Sequence, residues 1–198
     1  MSLRRVTVVL LCEDSQHECF VLRFLKNMGW ETRQMRVEKA PFSKGSAEQW
    51  VRERFPRELY ACRQRNSKSA TVLIAVIDGD SQKPPERIKE LAEKCKEQNI
   101  AFRTDQEPIA IAVPCRNIET WIRYLEGEDV NENESYPKLG QERKCQDAVK
   151  CLVEFCQKTG LPHFAPSALK MACEEYGQRI LPVARKSGRT LGHYKGYL

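Results

Sequence analysis

The sequence predicts an α/β fold, a parallel β-sheet flanked by helices with a small helical extension at the C-terminal end. Three observations carry that expectation. Residues 5–12 (RVTVVLLC), 72–80 (VLIAVIDGD) and 109–113 (IAIAV) contain apolar runs without alternation, the pattern of strands covered on both faces. Between and after them, apolar residues recur at helical spacing. The first two runs end abruptly in carboxylates, and parallel sheets place ligands at the carboxyl ends of their strands.

In chain order, the first strand stops at Glu13. Ser15 offers an N-cap to a helix carrying Phe20, Leu22, Phe24, Leu25 and Met28, which Gly29 closes. Residues 32–37 fit a short second strand. Residues 46–65 fit a helix containing Trp50, Val51, Phe55, Leu59 and Tyr60, which Pro56 is expected to kink or divide. After the central strand, Pro84 and Pro85 open a helix reaching about Gln98. Pro114 stops the third apolar run, and Asn117 can cap a helix with Ile118, Trp121, Ile122 and Leu125 on its inner side.

Residues 126–135 (EGEDVNENES) are acidic and nearly free of apolar side chains, which predicts a mobile loop and an internal boundary. The expected division is a catalytic domain over residues 1–125, then the acidic loop, a helical extension and a basic tail over residues 126–198. In that second part Cys145, Val149, Leu152, Val153 and Cys156 mark an amphipathic helix. Residues 161–166 read as a connector, and Ser167 caps a last helix ending at Gly177. From Gln178 the tail carries Arg179, Arg185, Lys186, Arg189 and Lys195 and no acid.

A chain of 198 residues suits one well-buried core. No apolar run approaches the roughly 20 residues that cross a bilayer, so no membrane is expected. The apolar run ending at Cys12 leads into Glu13 and Asp14, not into a small-residue cleavage site. Nine cysteines without a Cys-x-x-Cys pair argue against zinc ribbons and disulfide frameworks and for a reduced, cytoplasmic protein. The net charge of +6 is compatible with a nucleic-acid partner.

The chemistry concentrates at Asp78-Gly79-Asp80. In extended backbone, residues i and i+2 point the same way, so both carboxylates can face one point, with Gly79 easing the turn. Hard oxygen ligands at such an edge suit Mg²⁺ or Mn²⁺. Glu13 is a third carboxylate at a strand tip and Glu119 a fourth candidate. Paired ions roughly 3.5–4 Å apart are a known device of phosphoryl chemistry. His17 and His163 read as surface or structural residues, Trp121 as core, and Arg116, Arg185 and Lys186 as phosphate contacts.

The first strand ending in Glu13, the Asp78-Gly79-Asp80 tip and the later Arg116-Asn117-Ile118-Glu119 together resemble the TOPRIM domain. The likeness is to its small nuclease-type members, related to the overcoming-lysogenization-defect family of phage defence, and it covers roughly residues 5–125. It implies a TOPRIM-like, Rossmann-like sheet. In that family the glutamate after the first strand is general acid/base or metal ligand, the role carried to Glu13. The Asp-x-Asp pair binds divalent metal, the role carried to Asp78 and Asp80, and Glu119 matches the second-metal ligand. The family has glycine after its first glutamate and an acid four residues on; this chain has Asp14 and His17, with Glu18 one step late. Either Glu18 substitutes after a small helix shift, or one metal serves.

The resemblance implies a Mg²⁺- or Mn²⁺-dependent nuclease acting on DNA or RNA, a toxic effector in bacterial anti-phage defence. No Gly-x-x-x-x-Gly-Lys-Ser/Thr motif is present, so an ATP-driven step needs a separate ATPase subunit, as relatives use. A homodimer is left open. The alternatives are a noncatalytic binding or regulatory subunit of the same fold and a phosphoacceptor receiver domain, the latter disfavoured because Pro114-Cys115-Arg116 stands where a lysine is needed.

Overall fold

A computed structural model of the chain describes residues 6–42, 46–80 and 82–186. The strands β1 (Thr7–Cys12), β2 (Met35–Lys39), β3 (Thr71–Val76) and β4 (Ile109–Ala112) form one four-stranded, all-parallel sheet in the order β2-β1-β3-β4. Helices α1 (Ser15–Asn27), α2 (Ala47–Asn66) and α3 (Pro84–Glu97) make the crossovers between successive strands. Four further helices follow: α4 (Glu119–Leu125), α5 (Gln146–Glu154), α6 (Ser167–Glu175) and α7 (Leu181–Lys186).

Side chains alternate across a strand, so the unbroken apolar runs split between two cores. Val8, Leu10, Cys12, Val72, Ile74 and Val76 pack with α1 and α4–α7, while Val9, Leu11, Leu73, Ala75 and Ile77 pack with α2 and α3. Coverage of both faces is why every residue of β3 is buried and none is charged. Each such Leu or Ile contributes roughly 1.5–3 kcal/mol by leaving water.

Several local expectations change in the folded chain. Asp14, not Ser15, caps α1: its Oδ1 accepts from the Gln16 and His17 N–H groups at 2.9 and 3.0 Å. The second strand begins at Met35, after a 3₁₀ turn over Thr32–Gln34. α2 runs undivided through Pro56, because Val51, Phe55, Leu59 and Cys62 anchor the helix on both sides of the bond that proline removes. The Asn117 side chain accepts no backbone N–H of α4; its Oδ1 accepts from the Thr120 hydroxyl at 3.5 Å and its amide clamps the backbone of Tyr136.

The last helix does not stop at Gly177. It passes through a π turn, Tyr176–Ile180, into α7, held by the buried Ile180, Leu181 and Ala184 and by a 3.0 Å bond from Trp30 Nε1 to the Tyr176 hydroxyl. The helices after residue 126 therefore complete the core on the α1 face of the sheet. Within the acidic segment, Glu132 caps α6 from outside, accepting from the Ser167 N–H at 2.8 Å and the Ala168 N–H at 3.0 Å.

β4 is an edge strand, and its free edge is closed by side chains. Glu175 accepts from the Ile111 N–H at 3.0 Å, and Arg103, paired with Glu175, donates to the Ile109 carbonyl at 2.5 Å. Among the described residues no helix is long and apolar enough to cross a membrane.

Candidate functional site

β1 leads into α1 on one face and β3 leads into α3 on the other, so the crevice between their carboxyl tips is the switch point of the sheet. Such crevices are where open α/β sheets bind ligands. Glu13 and Asp78 stand at these two tips, on adjacent strands, and Glu13 Oε1 accepts a 2.5 Å bond from the Asp78 N–H.

Gly79 turns the chain directly against the loop after β4. Its N–H donates to the Pro114 carbonyl at 2.7 Å, and a Cβ there would lie 2.4 Å from the Cys115 carbonyl oxygen and 2.5 Å from that of Gln82. Asp80 follows with φ 53°, in the left-handed region. The i, i+2 alignment expected of extended backbone is therefore broken. The Asp80 carboxylate is exposed and lies 3.5 Å from Arg87 Nη2, while Asp78 turns inward to His17. Arg87 is buried and holds the turn by donating to the Gly79 carbonyl at 3.1 Å, with Glu48 and Glu90 balancing its charge.

The first turn of α1 adds an alternating row of charges. Lys138 Nζ lies 2.8 Å from Asp14 Oδ2, Asp14 Oδ1 lies 3.9 Å from His17 Nδ1, and His17 Nε2 lies 2.9 Å from Asp78 Oδ1. Burial pushes Glu13 up, and repulsion from Asp78 adds to it, so its carboxyl is raised to about 8. Burial alone would lower His17, but attraction to Asp78 and their hydrogen bond, with Asp14 and Glu13 behind them, outweigh it and raise the imidazole to about 9. Asp14 is held below the usual range: burial opposes its charge, but His17 and Lys138 prevail.

Of the other residues singled out by sequence, Glu119 opens α4 and is 1% exposed, with Oε1 buried and without a hydrogen-bond partner. Burial raises its pKa, and repulsion from Asp78 and Asp14 adds to the rise, which places it within electrostatic reach of the crevice. Glu18 does not join the group. One helical step beyond His17, it turns toward β2 and pairs with Lys39 at 2.6 Å. Arg116 sits at the rim, donating to the Asp80 carbonyl at 2.7 Å and the Asn133 carbonyl at 2.9 Å.

Arg185 and Lys186 are remote. α6 starts beside Glu132, and Arg179, beyond its end, reaches the Thr104 carbonyl and Asp105 ahead of β4. α7 thus continues toward the amino-terminal edge of the sheet, opposite the crevice. Arg189 and Lys195 lie outside the described residues.

The donor chemistry at the crevice is that of hard oxygen ligands: Asp78 and Glu13 offer neighbouring carboxylates, and Glu119 Oε1 is buried without a hydrogen-bond partner. Among the described residues, no three His, Cys, Asp or Glu side chains are grouped to hold a metal as they stand.

No family model, curated protein or solved structure matches this chain. His17, read from the sequence as surface or structural, is fully buried in the first turn of α1, where its Nε2 meets Asp78. Lys138 carried no local signal, because 124 residues separate it from Asp14.

Proposed function

We propose that the chain is a divalent-metal-dependent nuclease of TOPRIM-like design that cleaves phosphodiester bonds of DNA or RNA. The pairing of Glu13 with Asp78 at the switch point is the observation that carries this function. A Mg²⁺ or Mn²⁺ ion held by Asp78, with Glu119 as a further ligand, would neutralise and polarise a scissile phosphate; in this conformation Asp80 faces Arg87 and solvent. Glu13, raised to about 8, holds or releases a proton near neutral pH, as a general acid/base must. His17 fixes the orientation of Asp78 through its 2.9 Å bond. Lys138 and Arg116 supply cations at the rim for substrate phosphates.

A separate ATPase partner and a role in anti-phage defence follow from the TOPRIM resemblance. Nine free thiols favour a reducing, cytoplasmic setting.

The test is cleavage of single- and double-stranded DNA and of RNA with Mg²⁺ or Mn²⁺. Cleavage that ends with EDTA and is abolished by Asp78→Ala supports the proposal. A folded wild type that is inert with every metal and nucleic acid instead assigns the fold to a noncatalytic binding subunit.

One observation favours a second function, that of a phosphoacceptor: Lys138 brings to the acidic cluster the lysine that the segment after β4 lacks. Incubation with acetyl phosphate and Mg²⁺ separates the two, since only a phosphoacceptor forms an acyl phosphate on Asp78.

A further inference from the structure

The first turns of α1 also meet the beginning of α5, away from the crevice. Cys19 Sγ and Cys145 Sγ stand 3.9 Å apart across that contact, with no bond between them. The two thiols differ in access. Cys145 is 0% exposed, whereas Cys19 is half-buried and opens on a groove lined by Ser15, Glu18, Leu22, Arg23 and Arg143. Arg23 Nε donates to Cys19 Sγ at 3.3 Å, which holds the sulfur at the groove wall. The same contact is bridged by Gln16 Nε2, 3.4 Å from the Glu142 carbonyl, so the sulfurs face each other across a joined surface.

We propose that Cys19 and Cys145 are an oxidisable dithiol, which hydroperoxides convert to a disulfide that ties α1 to the start of α5. The Cys19 thiolate attacks one peroxide oxygen, the O–O bond breaks, and Cys19 sulfenic acid and hydroxide form. Cys145 sulfur then attacks the sulfenic sulfur, the S–O bond breaks, and the disulfide forms as hydroxide leaves. The two thiol protons convert both hydroxides to water, so two thiols lose two electrons to one peroxide. Bond formation brings the sulfurs from 3.9 Å to about 2.05 Å. The link fastens the segment that carries Lys138 to the helix whose first turn carries His17. It does not depend on the nuclease function.

Native protein treated with hydrogen peroxide, alkylated and digested without reductant tests this. The expected product is a cross-linked pair of peptides containing Cys19 and Cys145, lighter than the reduced pair by two hydrogens and separated by dithiothreitol. Cys19→Ser removes it, and Cys145→Ser leaves a Cys19 sulfenic acid that dimedone captures. The proposal is overturned if Cys19 remains fully alkylatable after treatment. It is equally overturned if wild-type Cys19 is oxidised without a link to Cys145, or if the principal disulfide joins other cysteines, such as the buried Cys156 and Cys173.

Discussion

The side chain of Glu13 holds the backbone of Asp78: its Oε1 accepts the Asp78 N–H at 2.5 Å across the tips of β1 and β3. One carboxylate thus both belongs to the candidate site and fixes the backbone of its neighbour. These two duties separate by mutation.

Glu13→Gln keeps an oxygen that accepts the Asp78 N–H but cannot exchange a proton. Metal-dependent cleavage should fall by about 10²–10⁴-fold while the melting temperature stays close to wild type. Glu13→Ala should lose the activity and about 1 kcal/mol of stability as well. Thermal melts beside cleavage rates measure both. Equal activity in wild type and Glu13→Gln removes the acid/base role.

Stability in the presence of a chelator should fall as pH rises. Glu13 is raised from 4.5 to about 8 and His17 from 6.5 to about 9, so in each case the folded state binds protons more tightly than the unfolded one. The Glu13 contribution is complete below pH 4.5 and lost through 8; that of His17 is complete below 6.5 and lost through 9. Melting temperatures should therefore decline from pH 6 to pH 9. Because a divalent cation beside Glu13 disfavours its proton, added Mg²⁺ or Mn²⁺ should stabilise more at the alkaline end. A flat profile, with and without metal, contradicts this electrostatic picture.

Gly79→Ala would place a methyl 2.4 Å from the Cys115 carbonyl oxygen and 2.9 Å from that of Pro114, atoms of backbone that cannot swing aside. Overpacking of this kind costs about 1–3 kcal/mol. It should also displace Asp78 and Asp80, so metal affinity measured by calorimetry should drop together with the denaturant midpoint.

Glu175→Ala should be among the most damaging single changes on the C-terminal helices. It leaves Arg103, whose side chain is 6% exposed, without its partner and the Ile111 N–H of the edge strand without an acceptor. Breaking a buried pair from one side costs about 3 kcal/mol. Urea unfolding measures the loss, and light scattering should show greater self-association through the uncovered β4 edge.

Much of the fold was legible because its signals are local. The apolar run of residues 72–76 must be covered on both faces wherever it packs, which makes a parallel sheet with helices on each side, and a carboxylate directly after such a run must lie at its edge. The misplaced boundaries have equally specific causes. Pro56 removes one helical bond, but Phe55 and Leu59 hold the helix against β-strands far away in sequence. Gly177 signals an end, but Ile180 and Leu181 carry the helix onward into the core.

The sequence by itself determined the α/β class, the strands of the sheet and the carboxylates at two of their tips, because periodicity and burial depend on neighbours along the chain. Only the tertiary structure decided that β1 and β3 are adjacent and so bring Glu13 to Asp78. It also decided that His17 turns in while Glu18 turns to Lys39, and that Asp80 adopts a left-handed turn against Arg87. It brought Lys138 to Asp14 and carried Arg185 away from the crevice. Those outcomes depend on strand order and on how distant segments pack, and residues far apart in the chain carry no local record of where they meet.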